Sequence, residues 1–177
     1  MKRSKTVTPP KPAALTDKEL AARNDAALAR VDMMEDPDKL RNLMANADRM
    51  GVDTVRDAAF RRLTTVLADG EPGSVEHDFW QTIHAFEELL KDARGKAVRL
   101  TKTRQKVTRV GERKTLADFA EATKETQGFE MLMARHMPEL TGEAIILRHP
   151  EDFDAATRDA ATARLEGAGV DVATLGA

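Results

Sequence analysis

Apolar residues recur along most of the chain at intervals of three and four, which is the spacing of amphipathic α-helices. Two clear helix starts support this interpretation. Thr16 with Glu19 matches a capping box, and Asp36 followed by Pro37 matches an N-cap with proline in the first turn. The first half of the chain is therefore predicted to contain three helices, over about 17–34, 37–50 and 54–68.

The longest regular stretch begins after Ser74, which is placed to cap a fourth helix. Its apolar residues alternate at spacings of four and three and form a heptad-like seam. The seam consists of Phe79, Ile83, Phe86, Leu90, Ala93, Ala97 and Leu100. If it is unbroken, one helix runs over about 75–110 and is about 50 Å long at 1.5 Å per residue. Gly95 lies inside it and costs about 1 kcal/mol relative to alanine, so a break into two helices is the alternative.

Shorter amphipathic segments follow Gly111 and predict helices over about 116–124, 129–137 and 154–167. Residues 143–148 have some strand character, but they fit a short buried helix equally well. The predicted fold class is all-α: a multi-helix domain with one long basic helix. We expect the domain to cover residues 15–170, with a subdivision near residue 111 as an alternative. A disordered basic arm (1–14) precedes it and a tail (171–177) follows it.

Composition narrows the chemistry and the compartment. The chain has no cysteine, which excludes disulfides, thiolate nucleophiles and cysteine-based metal sites. No apolar run reaches the roughly 18 residues that a transmembrane helix needs. The basic N-terminus lacks the apolar segment of a secretory signal. We therefore expect a cytoplasmic protein, associated with the nucleoid if it binds DNA.

Charge is distributed very unevenly along the chain. The segment from Lys91 to Lys114 contains ten basic and two acidic residues, a net charge of +8. Because the whole chain carries −2, the remainder carries −10. Such asymmetry is informative about binding partners rather than about the fold.

On a continuous helix, many of these bases would share one face and form a stripe suited to phosphate oxygens. Aromatic residues are not interleaved with them, so stacking on single-stranded bases is poorly supported. Contact with a duplex backbone or with structured RNA suits the segment better, and duplex DNA is favoured. Salt bridges to the acidic remainder of the chain and an acidic protein partner are the alternatives. The predicted nucleic-acid-binding residues are Lys96, Arg99, Lys102, Arg104, Lys106, Arg109, Arg113 and Lys114.

A second hypothesis makes the protein a divalent-metal-dependent DNA endonuclease. His77 and His84 are seven residues apart and share a helix face, and Glu88 follows four residues later. These three side chains could hold Mg²⁺ or another divalent metal beside a phosphate-binding surface. The spacing is not that of a known zinc motif, and His149, before Pro150, is interpreted as a loop histidine. On the binding hypothesis no cofactor is expected.

A third hypothesis assigns the seam from Phe79 to Leu100 to a protein interface. A heptad-like seam can pack against a second copy of the chain as readily as against its own core. The protein would then be a homo-oligomer or an interaction module. Phosphate-binding loops and nucleophile-elbow motifs are absent from the sequence, so nucleotide hydrolysis and serine acyl transfer have no support.

Several short motifs in the second half of the chain suggest a resemblance to known proteins. They are Thr103-Arg104-Gln105-Lys106, Gly128-Phe129, Leu140-Thr141 with Glu143, Arg148-His149-Pro150 with Phe153, and Arg164-Leu165. With these motifs, the stretch from Phe79 to Leu165 resembles small helical domains of high-GC proteobacteria. The resemblance implies a role in bacterial DNA metabolism or genome defence, sometimes beside nuclease domains. It supplies no catalytic residue.

Overall fold

The computed structural model describes residues 16–175, and within this range the chain is all-α, as predicted. Short 3-10 helices occur at Pro138–Leu140, Pro150–Asp152 and Val172–Thr174. The predicted disordered arm lies outside the described residues. The α-helices in this range are α1 (Asp17–Val31), α2 (Pro37–Arg49), α3 (Asp53–Leu67), α4 (Val75–Arg94), α5 (Thr101–Ala120), α6 (Gln127–Ala134), α7 (Gly142–Arg148) and α8 (Ala155–Gly167).

The predicted helix starts are confirmed at the level of single hydrogen bonds. Thr16 and Glu19 form a reciprocal capping box at α1. The carboxylate of Asp36 accepts from two amides of the first turn of α2, and the Ser74 hydroxyl accepts from the His77 amide of α4. These bonds satisfy amides that have no partner inside their own helices. Local sequence thus decides where α1, α2 and α4 begin.

The predicted helix over 75–110 is divided in the structure at Gly95. This residue has φ 65° and ψ 15°, and its amide donates to the carbonyl of Lys91 at 2.8 Å. A glycine in the left-handed region is a usual C-terminal stop for a helix. The basic helix is therefore α5, which begins only at Thr101.

Because the helix breaks, the seam from Phe79 to Leu100 is not one continuous surface. Phe79, Ile83 and Leu90 are at most 4% exposed and pack inside the chain. Ala93 and Ala97 are exposed at and beyond the end of α4. The buried part of the seam is core in this conformation and does not lie on the surface.

A second break occurs inside α5, at Gly111, where φ is 81° and ψ is 170°. The chain bends there, at the position where the sequence suggested a subdivision. Val107 before the bend and Leu116 after it nevertheless belong to the same apolar cluster. The bend therefore redirects the helix without separating its two halves into different cores.

Helix α4 lies between two of the apolar clusters. One cluster joins α4 to α5, α7 and α8 around Phe79, Ile145 and Ile146. The other joins α4 to α3 and α6 through Leu89, Phe60 and Leu132. Residues 143–148 supply α7, so the helical alternative for this segment is confirmed. No helix in residues 16–175 combines the length and apolar character that crossing a membrane requires.

Candidate nucleic-acid interface

The α4–α5 connection is held in place by one carboxylate, Glu87. Its Oε1 atom accepts from the Leu100 amide at 2.8 Å and from Arg104 Nε at 3.0 Å, and its Oε2 atom accepts from Arg104 Nη2 at 2.8 Å. The Arg104 guanidinium also lies 4.9 Å from the centre of the Trp80 ring. The planar guanidinium thus forms a bidentate pair with Glu87 and stacks on the Trp80 ring, which are two contacts to which arginine is well suited. Arg104, predicted to bind phosphate, instead fixes the start of α5.

The pKa of Glu87 reflects these contacts. Burial opposes its ionisation, but the nearby His84 ring and hydrogen bonds from Arg104 and from the Leu100 amide outweigh burial and lower the pKa to about 2. His84 Nδ1 lies 3.6 Å from Glu87 Oε2. The carboxylate is therefore charged at neutral pH and forms the electrostatic anchor of the connection.

Asp118 neutralises two more of the predicted phosphate-binding residues. Lys106 Nζ lies 2.7 Å from one of its oxygens and Lys114 Nζ lies 2.6 Å from the other. Hydrogen bonds from these two lysines lower the pKa of Asp118. Lys106 precedes the Gly111 bend and Lys114 follows it, so the aspartate connects the two halves of α5.

Arg113 is also engaged within the chain. Its Nε donates to Asp152 at 2.6 Å, and its Nη1 donates to Glu76. These contacts lower the pKa of Glu76 and raise the pKa of Arg113. With Arg104, Lys106 and Lys114, four of the eight predicted phosphate-binding residues are paired with acids of the same chain. For these four positions, the internal salt-bridge alternative describes the structure.

The other predicted residues remain on the surface. Lys96, Arg99, Lys102 and Arg109 are exposed and have no ion-pair partner among residues 16–175. Arg94, which the predicted set left out, is also exposed and belongs to the last turn of α4. We call this set the basic corner: Arg94, Lys96, Arg99, Lys102 and Arg109.

The start of α5 already has an anion of the same chain beside it, because the Glu87 carboxylate accepts from the Leu100 amide. Helix α5 has no side-chain cap at Leu100 and no acidic residue in its first turn. The first amides of a helix carry a partial positive charge, which favours anions near them. No acidic residue occurs between Asp92 and Glu112 in the sequence. The Glu87 carboxylate therefore meets the positive end of α5, and the positive potential of the basic corner comes from its own side chains.

The predicted metal ligands do not come together. His77, His84 and Glu88 are not a group whose ligand atoms lie within 4.8 Å of one another. Glu88 is bound by Arg41, at 2.7 and 3.2 Å, and by Lys91 at 3.2 Å. His77 is 6% exposed and its Nδ1 atom has no hydrogen-bond partner among the described residues. Two helical turns separate the histidines, and a salt bridge occupies the carboxylate.

The described residues do contain one other group with metal-ligating atoms. His149, Glu151 and Asp152 have ligand atoms within 4.8 Å of one another, where α7 passes into the next 3-10 helix. His149 Nε2 also lies 3.0 Å from Asp78 Oδ2. The sequence offers only a weak signal for this group, since one histidine and two acids near a proline are common in loops.

The chain was compared with models of protein families, with curated proteins and with solved structures, and none of the three comparisons gives a match. The resemblance inferred from the sequence motifs stays a prediction.

Proposed function

We propose that this protein binds the phosphate backbone of duplex DNA through the basic corner, with low sequence specificity. The observation that supports the proposal is the exposure of five cations, four of them at or before the first turn of α5 and Arg109 about two turns further along it, without acidic partners among the described residues. Arginine and lysine side chains suit phosphate oxygens in charge and in hydrogen bonding.

The ion pairs described above sharpen this proposal. Four bases of the segment form ion pairs with acids of the same chain and so contribute to the fold: Arg104, Lys106, Arg113 and Lys114. Within residues 16–175, no ion pair involves a residue of the basic corner. Several like charges that are exposed together repel one another, which lowers the stability of the fold. The same charges attract a polyanion.

The neighbouring side chains favour a duplex over a single strand. The large apolar side chains that are exposed in the described residues are Met33, Met50 and Val110, and none of them is aromatic. Trp80 is partly buried and packs against the core, with Arg104 over its ring. Single-strand binders use exposed aromatic rings for stacking, and the basic corner has none. Gln105 and the nearby threonines offer short polar contacts but no evident way to read bases.

The salt dependence of binding tests the proposal. If the five cations each neutralise one phosphate, the slope of log K against log salt is about −4.5. We expect that value from fluorescence anisotropy of a labelled duplex of about 30 base pairs. Replacing Arg94, Lys96, Arg99 and Lys102 by alanine flattens the slope by about 3 to 4.

A matched control removes four exposed bases from other regions: Lys18, Arg23, Arg30 and Lys124. This variant changes net charge by the same amount and leaves the basic corner intact, so its slope stays close to that of the wild type. Equal flattening in both variants would show that net charge, and not the basic corner, governs binding. Absence of binding at low salt would refute the proposal.

The endonuclease hypothesis remains as a second candidate because His149, Glu151 and Asp152 lie close together. Arg113 already neutralises Asp152, which weakens the group as a metal site. The assay is nicking of a supercoiled plasmid with and without Mg²⁺. Nicking that requires Mg²⁺ and is lost in His149→Ala but not in His136→Ala would support the hypothesis. An intact plasmid under all conditions would eliminate it.

A further inference from the structure

A cavity of about 220 Å³ lies between α4, α5, α6 and α7, beside the basic corner. Its wall is mainly apolar and includes the side chains of Phe79, Phe86, Phe119 and Phe129. Native cores contain few voids larger than a water molecule, and an apolar cavity of about 150 Å³ is large enough to bind benzene. The cavity is therefore large enough for a substituted aromatic ring.

The cavity wall also includes a charged group that is almost completely buried. The side chain of Glu143 is 3% exposed, and its Oε1 atom accepts a hydrogen bond from Arg164 at 2.8 Å. Its other oxygen has no hydrogen-bond partner among the described residues. That oxygen is not one of the fully buried polar atoms without a partner, so it reaches accessible space and can accept from a ligand donor.

The hydroxyl groups of the wall point to the same ligand chemistry. Thr82 donates to the carbonyl of Leu140 at 2.6 Å, and Thr141 donates to the carbonyl of Pro138 at 2.7 Å. Their protons are used, so these two side chains offer only lone pairs to a ligand. Thr141 also accepts from the Ala144 amide, so the free acceptors of this part of the wall are mainly Thr82 and Glu143, whereas Thr103 and Thr126 add hydroxyl groups whose protons are not engaged among the described residues.

We propose that the cavity binds a small aromatic molecule that carries one N–H or O–H donor, with the ring among the phenylalanines and the donor on Glu143. This inference does not depend on DNA binding, because none of the residues in it belongs to the basic corner.

The test compares indole with indene, which has nearly the same shape but lacks the N–H donor. Removing the Glu143 carboxylate would leave Arg164 without its partner, so the donor is varied on the ligand. We expect indole to raise the unfolding temperature in a concentration-dependent manner. Calorimetric titration should give an affinity about tenfold higher for indole than for indene, as one hydrogen bond to a charged acceptor predicts. Equal affinities, or no binding of indole, would overturn the proposal.

A variant then locates the site. Thr103→Leu adds volume at the cavity wall, at a half-exposed position, and should abolish the effect of indole. Gln105→Leu introduces the same side chain at an exposed position of α5 outside the cavity wall and should retain it. Loss of indole binding in both variants, or in neither, would contradict the proposed site. The comparison of the two ligands on the wild type decides the question even if Thr103→Leu does not fold.

Discussion

Substitution of Glu87 by glutamine removes the charge that anchors the start of α5 while keeping the size of the side chain. Burial disfavours the Glu87 carboxylate, but the nearby His84 ring and hydrogen bonds from Arg104 and the Leu100 amide lower its pKa from 4.5 to about 2. Each factor of ten in an ionisation constant corresponds to about 1.4 kcal/mol. The Glu87 side chain is only 12% exposed, so solvent screens it little. We therefore expect the substitution to lower the free energy of unfolding by about 3 kcal/mol near neutral pH.

The dependence of the free energy of unfolding on pH tests this explanation. Because the pKa is lower in the folded state, the unfolded chain binds the proton more tightly. The stabilisation is present above about pH 4.5 and is lost as the pH falls toward about 2. Urea unfolding followed by Trp80 fluorescence and circular dichroism should show nearly the same difference between wild type and Glu87→Gln at about pH 7 and 5, and a smaller one at about pH 4 and again at about pH 3.

Glu130→Gln is the control for this experiment, because Glu130 is exposed on α6 and has no ion pair among the described residues. Its stability should follow that of the wild type at every pH. A Glu87→Gln deficit that is the same at about pH 7 and pH 3 would refute the reasoning, since it would show that the charge is not what stabilises the connection.

Three further predictions test other parts of the fold. Gly111→Ala should destabilise the protein by about 1–3 kcal/mol in urea unfolding because of its positive φ, although no atom lies within 4 Å of the added methyl group. Gly167→Ala, in α8 with open space around it, should instead stabilise it by about 0.5–1 kcal/mol. Asp78→Asn weakens contacts to Arg148 and His149 and should cost about 1–3 kcal/mol, whereas Asp159→Asn at an exposed position should cost almost nothing. Leu90 is buried, so Leu90→Asp should lower the free energy of unfolding by about 4 kcal/mol or more. If sedimentation experiments instead show that the substitution dissociates an oligomer of folded chains, the interface hypothesis is restored.

Local sequence was a good guide to the helices because their signals act over a few residues. The caps at Thr16, Asp36 and Ser74 are present as hydrogen bonds. The break at Gly95 was harder to predict, since a glycine inside an apolar seam is compatible with both a kinked helix and a helix end. The structure ends α4 there because the chain turns to bring Leu100 and Arg104 onto Glu87.

Only part of the candidate site could be predicted from the sequence, because the ion pairs that engage the other bases join residues far apart along the chain. The concentration of bases is evident from the sequence, but which bases remain exposed depends on acids far away in the chain. Arg104 pairs with Glu87 across the helix break, and Arg113 pairs with Glu76 and Asp152 from two other elements. The three predicted metal ligands do not meet in this structure, because the histidines lie two turns apart on α4 and Arg41 from α2 binds Glu88.

The amino-acid sequence alone determines that this chain is helical, where several helices begin and that positive charge is concentrated after Lys91, because these properties depend on neighbouring residues and on composition. Tertiary structure alone decides which cations are neutralised, where the long apolar seam is buried and that a cavity forms around Glu143. Ion pairs and cavities depend on side chains from elements far apart in sequence, whose approach is set by the packing of the whole core.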